Sequence, residues 1–329
     1  MIIIPKISII IPCYNSVLSL SKCVESVLMQ SFIDFEILLL NDGSTDNTLA
    51  ICDDFQKNDV RIKVYSHENK GVSYTRNRGI EIAQADYIMF IDGDDWIEND
   101  MLALLMKSNP SAATLPVCGM IHERRGEVFV NDFFQNLIDE KKLEFNKDEI
   151  LSLFPSSVLN SPCCKIYSRF ILIDNSIKFD EKLSYQEDLI FNLHYLNFIQ
   201  NIKIVPAFKY HYVEHVVSSS NRFHQNLNAS VFKVTSLLLA LSNYNNSPAV
   251  QKFNIDQVIK LISNILHKNS GLNVKQKYVE INAVLNSTIF EESKEIINKM
   301  ELGKLLEIAL LIKSPTLIMT YFSLNKFFK

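Results

Sequence analysis

Glycine is scarce in this chain of 329 residues, with only 8 occurrences, well below the usual share of about 7%. Gly43, Gly71, Gly79 and Gly93 all fall in the N-terminal third, mostly in polar stretches beside apolar runs. Because glycine permits positive φ and close approach of the backbone, we expect it where another group must come close. No Gly-x-Gly-x-x-Gly follows the first apolar run and no P-loop pattern is present, which disfavours a dinucleotide-binding Rossmann domain and a P-loop site.

Paired cysteines and an excess of basic residues are also absent. The six cysteines show no Cys-x-x-Cys spacing, and the adjacent Cys163 and Cys164 have a poor geometry for a disulfide or for two ligands of one zinc ion. We therefore expect reduced thiols that pack as small hydrophobic side chains in a cytoplasmic protein. The net charge of 33 − 37 = −4 argues against a protein that coats nucleic acid, because such a protein needs a basic surface.

No uninterrupted apolar run reaches the length of about 18 residues that a membrane-spanning helix requires. The apolar start of the chain is broken by Pro5 and Lys6, so no secretory signal is expected. A hydrophobic share of 47% and a charged share of 21% exclude an intrinsically disordered chain. The length suits one large domain or two modest ones.

Apolar runs alternate with amphipathic segments in the N-terminal third of the chain. Strands are predicted at residues 7–11, 36–40, 60–65 and 87–91, with helices between them. This repetition with short links predicts a mainly parallel sheet flanked by helices, an α/β fold. The alternation then weakens, although helices are still predicted at 147–154 and 187–198, and the long helical periods of residues 221–329 predict a C-terminal helical region.

Polar loops follow each predicted strand, at residues 12–15, 41–46, 67–71 and 92–96. The carboxyl ends of parallel strands are where open α/β sheets bind ligands. A tight turn at Gly93 allows Asp92 and Asp94 to converge, and such carboxylates suit Mg²⁺ or Mn²⁺. The alternative is a solvated acidic turn at the start of the next helix. Asp42 either forms an Asx-type turn or accepts a hydrogen bond from a nucleobase N–H, and the two roles are compatible.

Four ordered motifs resemble those of family-2 glycosyltransferases of the GT-A fold. They are residues 7–15 (ISIIIPCYN), 42–48 (DGSTDNT), 69–79 (NKGVSYTRNRG) and 87–96 (YIMFIDGDDW). The resemblance covers residues 5–110 closely and resumes at 162–191, which is similar to the acceptor-side segment of bacterial capsule and O-antigen transferases. One departure is Asn41, where the family usually has Asp. The resemblance implies a GT-A domain over residues 1–220, with a nucleotide-sugar half at 1–105 and an acceptor half at 106–220.

The resemblance also implies which residues meet the donor. Residues of the nucleotide-sugar pocket would be Pro12, Tyr14, Asn15, Asp42, Asn69, Gly71, Arg76, Asp92 and Gly93. Tyr14 would pack against the base and Asp42 would read its edge, while Asp92 would contact the ribose. Asp94 would hold Mn²⁺ or Mg²⁺, which neutralises the diphosphate leaving group. His211 either completes the metal shell or belongs to a surface strand.

A transferase needs a base for the proton of the acceptor hydroxyl. Glu187 and Asp188 match the family's Glu-Asp pair, and Asp188 is the predicted catalytic base of an inverting displacement. At a helix start, an acidic pair otherwise compensates the helix dipole. Lys165 and Arg169 either steer an anionic acceptor or lie on an ordinary helix face.

The expected function is therefore inverting, metal-dependent transfer of a sugar from a nucleotide-diphosphate sugar, with UDP as the expected nucleotide. The acceptor would be a glycan or lipid-linked saccharide of bacterial surface polysaccharide synthesis, in the cytoplasm or on the inner face of its membrane. The alternative is a catalytically silent member that stabilises another glycosyltransferase. The apolar, lysine-punctuated tail, residues 302–329, is either a packed helix pair or a peripheral membrane contact. A homo-oligomer is left open.

Overall fold

The computed structural model describes residues 5–156, 158–214, 227–240, 248–300 and 302–324. The chain divides into two compact units, the first formed by residues 1–182 and 187–218 and the second by residues 183–186 and 219–329. The strands are β1 (Ile7–Cys13), β2 (Phe35–Asp42), β3 (Ile62–His67), β4 (Tyr87–Phe90), β5 (Trp96–Ile97), β6 (Thr114–Arg124), β7 (Glu127–Val130), β8 (Glu144–Asn146), β9 (Tyr167–Ser168) and β10 (Asn201–Val213). The helices of the first unit are α1 (Leu20–Leu28), α2 (Thr48–Asn58), α3 (Val72–Ile82), α4 (Met101–Lys107), α5 (Asp132–Asp139), α6 (Arg169–Asp174) and α7 (Glu187–Leu196).

The first sheet has the strand order β3-β2-β1-β4-β9. β1 pairs in parallel with β2 and β4, and β2 pairs in parallel with β3, whereas β9 is antiparallel to β4. The central strands are apolar on both faces and almost completely buried, as expected for a sheet covered by helices. The predicted mainly parallel α/β sheet is therefore confirmed, and the carboxyl ends of β1 to β4 lie along one edge.

A second sheet has the order β5-β10-β6-β7, with β8 added to β10. β10 runs parallel to β6 and antiparallel to the short strand β5, so that Tyr210 pairs with Ile97 and His211 with Trp96. This pairing places the end of β10 beside the turn that follows β4. The sequence pattern does not predict a strand of this length at residues 201–213.

The helix predicted at residues 147–154 is a 3₁₀ helix, Ile150–Ser156. Pro155 lies inside it, and proline has no N–H to donate and disfavours α geometry in the residue before it. The segment therefore forms the tighter and shorter helix type.

The second unit has its own hydrophobic core and, within its described residues, is built of helices. They are α8 (Leu227–Ala240), α9 (Pro248–Leu266), α10 (Val274–Leu285), α11 (Thr288–Ser293), α12 (Lys304–Leu311) and α13 (Pro315–Leu324). Leu310, Ile318 and Phe322 of the last two helices are buried in that core, which confirms the predicted C-terminal helical region. In the described part of the chain, no helix combines the length and the apolar character needed to cross a bilayer. Lys326 and Lys329 of the predicted tail lie outside the described residues.

Candidate active site

A cavity of about 450 Å³ opens at the carboxyl edge of the first sheet, where the loops after β1, β2, β3 and β4 meet. Its lining includes the predicted residues Pro12, Tyr14, Asp42, Asn69, Gly71, Arg76, Asp92, Gly93 and Asp94, together with Cys13, Ser16, Val72 and Thr75. The side chain of Tyr14 is half-exposed at this cavity. The structure therefore brings predicted donor residues from all four motifs to one cavity, with Asn15 as the exception.

Asp42 ties the second loop to the third. Its Oδ1 accepts a hydrogen bond of 2.7 Å from the N–H of Lys70, and its Oδ2 accepts one of 2.9 Å from the N–H of Gly71. The carboxylate is buried at the cavity wall. The neighbouring Asn41 accepts a hydrogen bond from the N–H of Ser44 and donates one to Ser66. The amide of Asn41 thus makes both contacts at once.

Gly43 allows this close approach between loops. Its φ is +65°, and a Cβ at this position would lie 2.5 Å from the backbone nitrogen of Asn69. A side chain here would therefore be strained in φ and would also displace the third loop. The expectation that glycine stands where another group comes close is met at this position.

Arg76 bridges two carboxylates that are far apart in sequence. Its Nη2 donates to Oδ1 of Asp92 at 2.7 Å, and its Nη1 donates to Oδ1 of Asp188 at 2.7 Å. The guanidinium lies over the ring of Phe179 at 5.2 Å, and its side chain is 4% exposed. Burial lowers the pKa of Arg76, but the charges of Asp188 and Asp92 more than offset it and hold that pKa well above its usual value. A permanently charged group thus joins the donor side of the cavity to the first turn of α7.

Asp188 is partly buried, with 24% of its side chain exposed. Burial raises the pKa of Asp188 to about 7; Arg76 lowers it, while the charges of Glu187 and Asp92 raise it further. A carboxylate with a pKa in this range can accept a proton near neutral pH. Asp188 does not line the cavity itself but contacts Arg76, which does.

Asp95 and Tyr210 fix the turn after β4, and the sequence analysis assigns neither to the site. Tyr210 donates its O–H to Oδ2 of Asp95 at 2.6 Å and accepts the N–H of Asp92 at 3.2 Å. Oδ1 of Asp95 accepts the N–H of Val213 at 2.9 Å. Burial, with the charge of Asp92, raises the pKa of Asp95 to about 8. In the sequence, the adjacent residues Asp94 and Asp95 indicate a cluster of carboxylates. Their adjacency does not show which of the two side chains is buried in the protein.

The structure does not bring His211 to the cavity. Its Nδ1 lies 2.7 Å from Oε1 of Glu123 and its Nε2 lies 3.0 Å from Oε1 of Glu98, and the ring stacks on Trp96 at 3.4 Å. Both ring nitrogens are therefore engaged, and His211 holds β5 and β6 together from its place on β10. The predicted role as a metal ligand requires an arrangement of this side chain different from the one observed.

Asn15 also lies outside the cavity lining. It has a φ of +48°, its Oδ1 accepts the N–H of Thr45 at 2.8 Å, and its own N–H donates to Ser44 at 3.1 Å. This exposed residue thus links the first loop to the second, next to Tyr14. Its observed hydrogen bonds are to Ser44 and Thr45 of the second loop, and it does not line the cavity.

Comparison with known proteins gives this site its context. The family described as Glycosyl transferase family 2 matches residues 8–175, which is half of the chain. The protein belongs to this family. EpsH of Bacillus subtilis, a glycosyltransferase by name, is 28% identical over 298 residues, which cover 88% of this chain and 86% of EpsH. The chondroitin synthase of Pasteurella multocida is 38% identical over 104 residues, but these cover 32% of this chain and only 11% of that protein.

Among solved structures, S. aureus TarS residues 1–349, determined in complex with UDP-GlcNAc, superposes with a TM-score of 0.70. The match covers 96% of this chain and 90% of TarS at 19% identity. This likeness establishes the GT-A fold. The predicted family and fold are both confirmed.

Family-2 enzymes of this fold often use a divalent cation, and the residues at the cavity fit one. Asp92 and Asp94 both line it, and Mg²⁺ is usually bound by one or two carboxylates together with substrate phosphates. Within the described residues, no group of three or more acidic, histidine or cysteine side chains forms a closed metal cage. The donor set thus suits a cation that is shared with a diphosphate.

Proposed function

We propose that this glycosyltransferase transfers a sugar from a UDP-sugar to a glycan or lipid-linked acceptor, with inversion at the anomeric carbon, in bacterial surface polysaccharide synthesis. The observation that carries the proposal is the bridge from Asp92 through Arg76 to Asp188. It connects a cavity built from nucleotide-sugar motifs to a carboxylate that can act as a base. TarS was determined with UDP-GlcNAc, and the match to a chondroitin synthase supports a glycan acceptor.

In this proposal, the donor occupies the cavity with its base between Tyr14 and Asp42. Among the described residues, Oδ2 of the buried Asp42 carboxylate accepts one hydrogen bond, from the N–H of Gly71, so this oxygen keeps a lone pair for the N–H of the base. Asp92 faces the ribose, and Asn69 and Gly71 approach the sugar or the diphosphate. Arg76 adds a fixed positive charge beside the phosphates.

Asp94, with Asp92 beside it, would hold Mn²⁺ or Mg²⁺, which when bound neutralises charge on the diphosphate. Asp188 takes the proton of the acceptor hydroxyl as that oxygen forms a bond to the anomeric carbon. The bond from this carbon to the diphosphate oxygen breaks, and its electron pair leaves with the nucleoside diphosphate. One displacement by an acceptor on the opposite face inverts the anomeric configuration.

A donor-hydrolysis panel tests this proposal. The purified protein is incubated with UDP-glucose, UDP-galactose, UDP-N-acetylglucosamine and GDP-mannose, with Mn²⁺ or with EDTA, and the released diphosphate is measured. We expect release from at least one UDP-sugar and its loss with EDTA. UDP binding without release from any donor would instead support the catalytically silent alternative, and release that is unchanged by EDTA would contradict metal dependence.

A further inference from the structure

Lys165 is a buried cation that the proposed mechanism does not use. Its side chain is within the interior, with 1% of the residue exposed. Its Nζ donates to the main-chain carbonyl of Val158 at 2.8 Å, to that of Cys163 at 3.0 Å, and to that of Ser161. An ammonium group has three N–H donors, so these carbonyls satisfy the charged form completely. No carboxylate in the described residues lies within ion-pair distance of Lys165, which is unusual because buried charges are normally paired.

The carbonyls around Lys165 belong to a loop, residues 158–163, that also holds the helix of the proposed base. Asn192 of α7 donates to the carbonyls of Leu159 at 2.8 Å and Ser161 at 2.9 Å. Lys165 and Asn192 thus share the carbonyl of Ser161. Asn192 lies four residues after Asp188, on the same face of α7. The position of the first turn of α7 is therefore fixed against the loop that Lys165 organises.

The same loop reaches the donor side of the cavity. The carbonyl of Cys163 accepts from Lys165, and Sγ of Cys163 lies 3.9 Å from Oδ2 of Asp92. Asp92 and Asp188 are the two carboxylates that Arg76 bridges. Lys165 is thus linked to Asp92 through Cys163, and to the helix of Asp188 through Ser161 and Asn192.

We propose that Lys165 is a positioning residue for Asp188: it fixes the loop of residues 158–163 to which Asn192 ties α7, and it adds a second buried positive charge to that of Arg76. This inference rests on the proposed function. It replaces the expectation that Lys165 steers an acceptor, because a fully buried side chain cannot touch one. The charged groups with the largest effects on Asp188 are Arg76, Glu187, Asp92 and Lys165, and of these Arg76 and Lys165 lower its pKa.

The test is the pH dependence of donor hydrolysis by Lys165→Met, measured with Mn²⁺ and the best UDP-sugar of the panel. Methionine keeps the length of the side chain and removes its charge. We expect the acidic limb of kcat/KM to move to higher pH by about one unit, so that activity at pH 6.5 falls about tenfold, with KM for the donor nearly unchanged. Lys178→Met is the matched control, because Lys178 is exposed and, among the described residues, forms its ion pair with Glu81; its profile should equal that of the wild type.

A second variant distinguishes the positioning role of Lys165 from the effect of its charge. It also tests the inference if Lys165→Met does not fold. Asn192→Ala breaks the link to Ser161 but leaves Lys165 in place, so kcat should fall about tenfold with no shift of the acidic limb. Wild-type kcat in Asn192→Ala, or an unshifted acidic limb in folded Lys165→Met, overturns the inference. If the wild-type protein itself releases no diphosphate, it is the proposed function that fails.

Discussion

At the scale of single residues, Arg76 determines the geometry of the site. Its planar guanidinium points one nitrogen at Asp92 and the other at Asp188, both at 2.7 Å. A lysine has a single nitrogen on a flexible stem and cannot hold the two carboxylates at a fixed separation. Asp92 at the cavity and Asp188, the proposed base, are therefore held at a fixed separation by one side chain.

Asp188→Asn removes the base while preserving the shape of the side chain. We expect donor turnover to fall by about 10²–10⁴-fold, since general base catalysis contributes about that much. UDP affinity, measured by calorimetry, should change less than about threefold, because Asp188 lies outside the cavity lining. Asp86→Asn, which alters an exposed carboxylate of the same unit, is the control. Turnover in Asp188→Asn equal to that of the control would refute the assignment.

The pH profile tests the ionisation of Asp188. A base acts in its deprotonated form, and burial raises the pKa of this group to about 7. The value of kcat/KM should therefore be constant above about pH 8 and should fall about tenfold per pH unit well below pH 7. A profile that is flat from pH 5 to pH 8 is incompatible with this account.

Gly43→Ala tests the contact between the second and third loops. The new Cβ would lie 2.5 Å from the nitrogen of Asn69 at a φ of +65°. We expect the free energy of unfolding in urea to fall by about 1–3 kcal/mol and UDP binding to weaken, because the loop that contacts Asp42 must move. Gly126→Ala is the control: Gly126 also has positive φ, but no atom lies within 4 Å of its added Cβ. UDP binding by this control should be unchanged. Equal UDP affinity in the two variants would show that the contact between the second and third loops does not determine UDP binding.

Sequence and structure agree on the residues that follow predicted strands and disagree on those that depend on distant pairing. The positions of Asp42 and Asp92 were predictable because Asp92 directly follows a continuous apolar run and Asp42 follows another after a single residue, Asn41. The role of Tyr210 was not, because it depends on the pairing of β10 with β5 across more than a hundred residues of chain. The same pairing carries His211 to Trp96 and away from the cavity. Local pattern specifies the strand ends, whereas the second sheet is specified by tertiary packing.

At the scale of elements, β10 supports the turn that carries Asp92 and Asp94. Tyr210 and the N–H of Val213 both bind Asp95, and His211 stacks on Trp96 immediately after it. The three neighbouring carboxylates of this turn repel one another, and these contacts from the second sheet offset that repulsion. The second sheet is thus the scaffold of a site that lies on the first.

Tyr210→Phe tests this support. The N–H of Asp92 and the carboxylate of Asp95 would each lose a partner in a buried setting. We expect a loss of about 1–3 kcal/mol in the free energy of unfolding and a higher KM for the donor. Tyr212→Phe is the matched control, since no hydrogen bond of the Tyr212 hydroxyl is seen in the described residues. A donor KM in Tyr210→Phe that equals that of Tyr212→Phe would contradict the role of β10.

At the scale of the whole molecule, each of the two units has its own hydrophobic core, and the candidate site belongs entirely to the first. The residues of this site come from four loops, from α3, which carries Arg76, and from α7, and they are separated in sequence by up to 176 positions from Pro12 to Asp188. Folding of the first unit therefore brings together the cavity and Asp188, the proposed base. The proposed function requires that a nucleotide occupies that cavity.

The most direct measurement is a crystal structure of the protein soaked with UDP and Mn²⁺. We predict electron density for the uracil ring between Tyr14 and Asp42, and for the diphosphate with Mn²⁺ at Asp94. Nucleotide bound elsewhere on the chain, with this cavity empty, would contradict the account.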